Sequence, residues 1–252
     1  MFPNQVLHKL HYRAGIVAAA FLLLLAISGV LLNHSHAFKL DQRFIGSSMV
    51  LSWYDLAAPE QTEGFEAEAA GFLLDLDQKL YLDGRFLGDL VAPMVGGIEW
   101  QQHLLVATPE NLLLMTSSGE LIERIVIADW VAGQVVAVGK TTAGLPVLRT
   151  QDGLFVSSDE MISWHRTLES DVAWSMKSEV PAEQLVLAQE HYLAHLISVE
   201  RLLLDLHSGG LLGMPGFLLL DLVAGLIVML VLTGCYLGFK LRQRSRSVRS
   251  RY

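Results

Sequence analysis

"AGIVAAAFLLLLAISGVLLNHSH", residues 14–36, begins as an uncharged apolar run and ends in two histidines, His34 and His36. The run from Ala14 to Leu32 is about 19 residues, close to the ~20 that a helix needs to cross a ~30 Å hydrocarbon core. A second uncharged run, "LVAGLIVMLVLTGCYLGF" from Leu222 to Phe239, has about the same length. With 52% of its 252 residues hydrophobic, the chain reads as a membrane protein. The first run is longer than the ~7–15-residue apolar stretch of a cleaved signal peptide, and no small-x-small site precedes a polar segment, so it is expected to remain as a helix.

Charge sets the expected orientation. All 26 Asp and Glu lie between Asp41 and Asp221. The chain before Asn33 carries only Lys9 and Arg13, and the tail "KLRQRSRSVRSRY" carries Lys240, Arg242, Arg244, Arg246, Arg249 and Arg251 with no acid. By the positive-inside rule both termini are cytoplasmic and the long acidic loop is periplasmic, which implies a bacterial inner membrane. The arginine tail reads as a topology anchor, and no nucleic-acid partner is expected. The single cysteine, Cys235, lies inside the second apolar run, so the loop must stand on its own core without an intramolecular disulfide.

The loop reads as mostly β. "HLLVATPENLLLMTSSGELIERI" (103–125) shows apolar strands broken at "PEN" and "SSGE", and "LPVLRTQDGLFVSSDEMISWHR" (145–166) repeats that layout. Leu112-Leu113-Leu114 aligns with Leu154-Phe155-Val156 at a spacing of about 42 residues, and a weaker copy in "FLLDLDQKLYLDGRFLGDL" places Leu80-Tyr81-Leu82 about 32 residues earlier. Such spacing is propeller-like, yet closed propellers need about four blades and only three units are visible, so a β-meander or sandwich stands equally open. In "VPAEQLVLAQEHYLAHL" the period changes: Pro181 suits a first helical turn, and Leu185, Ala188, Tyr192 and Leu196 mark an amphipathic helix with His191 and His195 at i and i+4. "HYLAH" lacks the glutamate of a zincin, so these two read as packing residues.

After a short strand, "DLHSGG" reads as a glycine turn, and Pro215 as the start of a new helix. Asp221 then falls in that helix's first turns, near the membrane surface. The resulting fold class is α+β: two transmembrane helices flanking a β-rich periplasmic domain, a β-meander or partial propeller, with one amphipathic helix. The segments are 1–36 (cytoplasmic start and first membrane helix), 37–180 (periplasmic β-rich domain), 181–214 (amphipathic helix and DLHSG turn), 215–239 (second membrane helix) and 240–252 (basic cytoplasmic tail).

"LHKLHYRAGI" leading into "AISGVLLNH", with "LLLDLHSGGLLG" followed by "LLLDLVAGLIVMLVLTGCYLGF", resembles the two signature segments of PepSY-associated transmembrane helix proteins, a group that includes iron-regulated membrane proteins and haem-containing siderophore reductases. The resemblance covers about 70 residues. It singles out His11 at the cytoplasmic start of the first helix, His34 at its periplasmic end and His207 in the "DLHSG" turn as ligands of b-type haem, with His8 and His36 in reserve. The chain departs from the larger reductases of the group in having two membrane helices where they have four, and hairpins stand where a PepSY domain would be.

A b-type haem in a helical bundle needs imidazoles on both faces of the porphyrin. His11 and His34 are about 35 Å apart along a helix and would therefore serve two haems, one near each surface. His8 and His11 lie on one face at i and i+3 and cannot easily bind opposite sides of one iron, so a second copy of the chain is expected to supply the missing ligand.

Three functions are compatible with these residues. The first is an electron-transfer protein or ferric-siderophore reductase, delivering electrons to a periplasmic acceptor such as a ferric siderophore or a flavin-bearing partner. The second is a membrane-anchored binding or scaffold subunit of a larger complex. The third is a peptidase or its inhibitor, for which Ser117, Ser118 and Ser208 show no arranged base. No Gly-rich strand-to-helix fingerprint for FAD or NAD is present.

Overall fold

Both apolar runs become long helices in the computed structural model, which describes residues 4–60, 62–168 and 170–249. The helices are α1 (Asn4–Asn33), α2 (Ser35–Phe38), α3 (Ser48–Trp53), α4 (Ala182–Ala194), α5 (Val199–Ser208) and α6 (Met214–Arg249). Within α1 and α6, His8–Asn33 and Met214–Lys240 are long and apolar enough to cross a membrane. Arg251 of the basic tail lies outside the described residues. The chain divides into two compact units, Met1–Leu56 with Ala194–Tyr252, and Ala57–Leu193.

The second unit is built from three antiparallel sheets made in succession. Strands β1 (Glu63–Glu66), β2 (Phe72–Leu76), β3 (Lys79–Leu82) and β4 (Arg85–Asp89) form the first meander. Strands β5 (Gly96–Trp100), β6 (His103–Ala107), β7 (Asn111–Thr116) and β8 (Leu121–Val126) form the second, and β9 (Val135–Thr141), β10 (Pro146–Thr150), β11 (Gly153–Val156) and β12 (His165–Thr167) the third. The repeated triplets Leu80–Leu82, Leu112–Leu114 and Leu154–Val156 are thus the third strand of each sheet. First strands adjoin, β1 with β5 and β5 with β9. The last piece of the β region splits between two sheets: β13 (Val172–Trp174) pairs with β9, and β14 (Lys177–Ser178) with β1. The sheets do not close into a barrel.

The continuous apolar runs follow from this layering. In β6, Leu104 and Val106 enter a core with Phe65, Leu73 and Leu80 of the first sheet, while Leu105 and Ala107 enter a core with Val138, Leu148 and Phe155 of the third. Side chains alternate across a strand, so a sheet covered on both faces is apolar at every position. On the outer face of the first sheet, α4 packs Ala188 and Tyr192 inward. There the Tyr192 hydroxyl donates to Asp77 Oδ2 at 2.7 Å, and Phe86 stacks on His191 at 4.7 Å between ring centres.

In the first unit, α1 runs against α5 and α6. Segments flanking the sheet region meet here: Phe44 and Ser198 form a β-bridge, Ile45 N donates to Ile197 O at 2.9 Å, and Val199 N to Arg43 O at 2.8 Å. One sequence expectation is corrected. "ISVERLLLDLHS" is helical, not a strand running into a turn. Ser198 caps it by accepting from Arg201 N, and Val199, Leu202, Leu203 and Leu206 fall at i, i+3, i+4 and i+7, so His207 sits in the last turn of α5. The α4 helix ends at Ala194, so His195 stands immediately after it, four positions from His191. The glycine turn itself follows at Gly209, in the left-handed region at φ +79°.

Candidate functional site

Each membrane helix carries a hydroxyl residue followed by glycine, Ser28-Gly29 in α1 and Thr233-Gly234 in α6, and each pair receives a histidine. His207, from α5, places Nδ1 2.8 Å from Ser28 Oγ. A Cβ on Gly29 would stand 3.5 Å from His207 Cε1, an ordinary van der Waals contact, so the ring packs directly beside this glycine. At the other end of the helix pair His11, from α1, places Nδ1 2.8 Å from Thr233 Oγ1, and a Cβ on Gly234 would stand 3.5 Å from its Cε1. Ser28 and His11 are 17 positions apart on α1, about 26 Å of helix rise.

The hydroxyls favour one tautomer. Ser28 Oγ donates to Leu24 O at 2.8 Å, and Thr233 Oγ1 donates to Met229 O at 2.8 Å. When its hydrogen goes to the carbonyl, each oxygen is an acceptor for the imidazole, a pairing that favours the tautomer with its proton on Nδ1. A neutral imidazole held through Nδ1 with Nε2 open is the usual state of a histidine about to bind a metal. Both rings are half-buried, and Ser28 is only 2% exposed.

His34, His36 and His8 are placed differently. His34 lies just past α1, exposed, with its ring edge-on to Phe38 at 6.3 Å. It stands six positions beyond Ser28, about 9 Å of helix rise, at the same end of the pair as His207. His36 has a 93% exposed side chain, with Nδ1 3.7 Å from Asp41 Oδ2. His8 is exposed, one turn before His11. Among the described residues no group of three or more His, Cys, Asp or Glu gathers as a metal cage.

A polar clamp holds the helix that carries His207. Asp205, buried at 8% exposure, accepts from Arg201 Nε at 2.8 Å and from the Tyr54 hydroxyl at 2.7 Å. Burial first, and then the bond to Asp205, push the Tyr54 phenol up to about 12. Beyond the clamp, Gly209 and Gly216 touch backbone to backbone. A Cβ on Gly216 would fall 1.9 Å from Gly209 O, so only glycine lets α6 start this close to the end of α5.

In the sheet unit, a cavity of about 370 Å³ opens where the first strands meet, lined by Glu68, Gly97, Lys140, Trp174, Ser175 and Lys177 among others. Lys140 pairs with Glu68, Lys177 with Glu63, and Ser175 Oγ donates to Gly97 O at 2.8 Å. Its two lysines are thus paired within the chain itself.

Sequence reasoning selected His11 and His207 and missed Ser28, Gly29, Thr233 and Gly234. The available signal was a hydroxyl-glycine pair inside each apolar run, "ISG" and "LTG", where neither residue suits a lipid-facing surface. It also missed the clamp of Tyr54, Arg201 and Asp205: Arg201 and Asp205 are an i, i+4 pair, but nothing in sequence joins Tyr54 to them.

The family described as PepSY-associated TM region matches residues 3–242. No match to the chain is found among curated proteins or among solved structures. With nearly the whole length matched, the chain belongs to the PepSY-associated TM family.

Proposed function

We propose that this member of the PepSY-associated TM family moves electrons across a bacterial inner membrane through b-type haem held by His207 at one surface and His11 at the other. The observation that carries the reading is the twinned arrangement: two half-buried histidines near opposite ends of an antiparallel helix pair, each with Nδ1 engaged by a hydroxyl. Their donor chemistry fits an axial haem ligand. A haem bound there would supply one-electron transfer at each membrane face. The chain's own part is to orient each imidazole through the hydroxyl on its Nδ1.

Each station contributes one imidazole. At the His207 end, His34 is the reading's second ligand, with His36 behind it. At the His11 end, a second copy of the chain supplies the partner histidine, so that four membrane helices come from two chains. Both termini are cytoplasmic in this reading because the acid-free ends are basic. Electrons then reach a periplasmic acceptor, a ferric siderophore or a flavin-bearing partner.

The test is spectroscopic. Protein purified in mild detergent from haem-supplemented cells should show the Soret and reduced α-bands of b haem; His207→Ala should remove about two thirds of it, the two His207–His34 haems of a dimer, and His11→Ala about one third, the haem the two chains share. Ser28→Ala and Thr233→Val, which delete only the acceptor on Nδ1, should weaken haem retention by about 10–100-fold, the usual effect of losing a partner of a metal-bound histidine. A haem-free wild-type protein sinks the reading in favour of the membrane-anchored scaffold.

A further inference from the structure

Immediately after the first membrane helix, the chain exposes a set of large apolar side chains that the membrane unit itself leaves uncovered. Phe38 is 48% exposed, Phe44 44%, Met49 59% and Trp53 53%. Met49 and Trp53 lie at i and i+4 on α3 and so share one face, while Val50 and Leu51 turn inward and are buried at 8% and 6%. Two basic residues, Lys39 and Arg43, are exposed in the same stretch. At the turn into α6, Leu212 and Met214 are also exposed, at 64% and 70%.

We infer that α3 and the chain from Phe38 to Trp53 lie on the bilayer that α1 crosses, with Phe38, Phe44, Met49 and Trp53 set into the boundary between headgroups and acyl chains. Three observations point to lipid as the occupant. The segment is continuous with a membrane-crossing helix that ends at Asn33, only a few residues before Phe38. It is tied back to that level by backbone hydrogen bonds: Glu200 N to Leu40 O at 3.1 Å and Val199 N to Arg43 O at 2.8 Å join it to α5, whose His207 reaches down to Ser28 of α1. Its composition, aromatic and apolar groups with flanking cations, is that of a surface-lying segment anchored at headgroup depth.

The anchor has a mechanical consequence. Tyr54, the residue after α3, donates to Asp205 of α5, two positions before His207. A lipid-seated α3 therefore fixes the depth of the helix that presents His207, through the phenol-carboxylate bond and the backbone bonds to Val199 and Glu200.

Trp53 makes the inference measurable, because the other four tryptophans, Trp100, Trp130, Trp164 and Trp174, all belong to the sheet unit. Full-length protein is reconstituted into vesicles whose lipids carry bromine near the headgroup end of the acyl chain. Quenching of about one fifth of the tryptophan emission is expected, one residue of five, and deeper bromines should quench less. Trp53→Phe should abolish that component, and Met49→Trp in the Trp53→Phe background should restore it, since 49 lies one turn away on the same face. Quenching that survives Trp53→Phe, or that fails to return with Met49→Trp, overturns the inference, and neither result bears on whether haem is bound.

Discussion

The two units use apolar residues in opposite ways. In the sheet unit a leucine is core: Leu104, Leu105 and Leu112 are each 0% exposed, and the apolar runs of β6 and β7 exist because the second sheet is covered on both faces. In the membrane unit a leucine is mostly surface: Leu23 is 63% exposed, Leu218 62% and Leu232 65%. What that unit buries between α1 and its neighbours is a narrow strip that includes Ala18, Ser28 and Val223. Polar and small residues therefore carry little information in a soluble core's apolar runs, where they are rare, and most of the information in a membrane pair, where they mark the contact.

The largest expected effect tests that contrast with one substitution made twice. Leu105→Ala should destabilise the sheet unit by about 3 kcal/mol, transfer cost plus cavity, because the site is packed between two sheets. Leu23→Ala should change stability by less than about 0.5 kcal/mol, as expected for a surface position. Denaturant titration of the detergent-solubilised protein, followed by the emission of Trp100 and Trp164 in the Leu105 core, reads the first, and helical circular dichroism the second. Equal losses would break the comparison.

A smaller effect sharpens it on the membrane side. Gly216→Ala puts a methyl group where Gly209 O now lies, so α5 and α6 must separate, at a cost of about 1–3 kcal/mol typical of overpacking. The displaced end of α5 carries His207. Oxidative cross-linking between cysteines placed by Ser28→Cys and His207→Cys, in a Cys235→Ala background, should be efficient in the parent and fall several-fold with Gly216→Ala. Unchanged cross-linking would mean that the glycine contact does not set the position of α5.

The same contrast explains what could be read in the sequence. The two spans were legible because length and lack of charge decide them, and the three repeated triplets were legible because strands of one kind recur at the same place in each sheet. The α4 helix was legible from Pro181 and its spacing. Helix α5 was misread because three consecutive leucines, Leu202 to Leu204, imitate a strand. The deciding signals were Ser198 as cap and the 3–4 spacing of Val199, Leu202, Leu203 and Leu206. The pairings of β13 with β9 and β14 with β1 had no local signal, since both strands are short and their partners are far away in sequence. At the candidate site the histidines were visible as rare residues, but their hydroxyl acceptors lay on other elements, and only the fold brings Ser28 to His207 and Thr233 to His11.

The finest test compares two buried aspartates, one per unit. Asp205 in the membrane unit has a guanidinium and a phenol. Asp75 in β2, 7% exposed, has only backbone donors, Gln78 N at 2.9 Å on Oδ1 and Met94 N at 2.8 Å on Oδ2. Burial raises the Asp75 carboxyl above the ordinary aspartate value of 3.8, outweighing the lowering by those two amides, while the nearby charges of Glu63 and Asp77 push it further up. A folded-state pKa above the unfolded value means that the folded unit holds its proton more tightly. The contribution of this group to stability is therefore fully present below the unfolded pKa and is lost as pH rises through the folded pKa. Asp75→Asn removes that titration and, because one side-chain oxygen now serves two amides, also subtracts a constant amount of about 1 kcal/mol. The stability difference between wild type and Asp75→Asn should accordingly narrow as pH rises from about 4 toward neutrality, in the direction opposite to that of a salt-bridged carboxylate. Denaturant midpoints measured at intervals across that range give the slope. A difference that stays constant, or widens with pH, would show that the two amides stabilise the Asp75 carboxylate at least as much as burial opposes it.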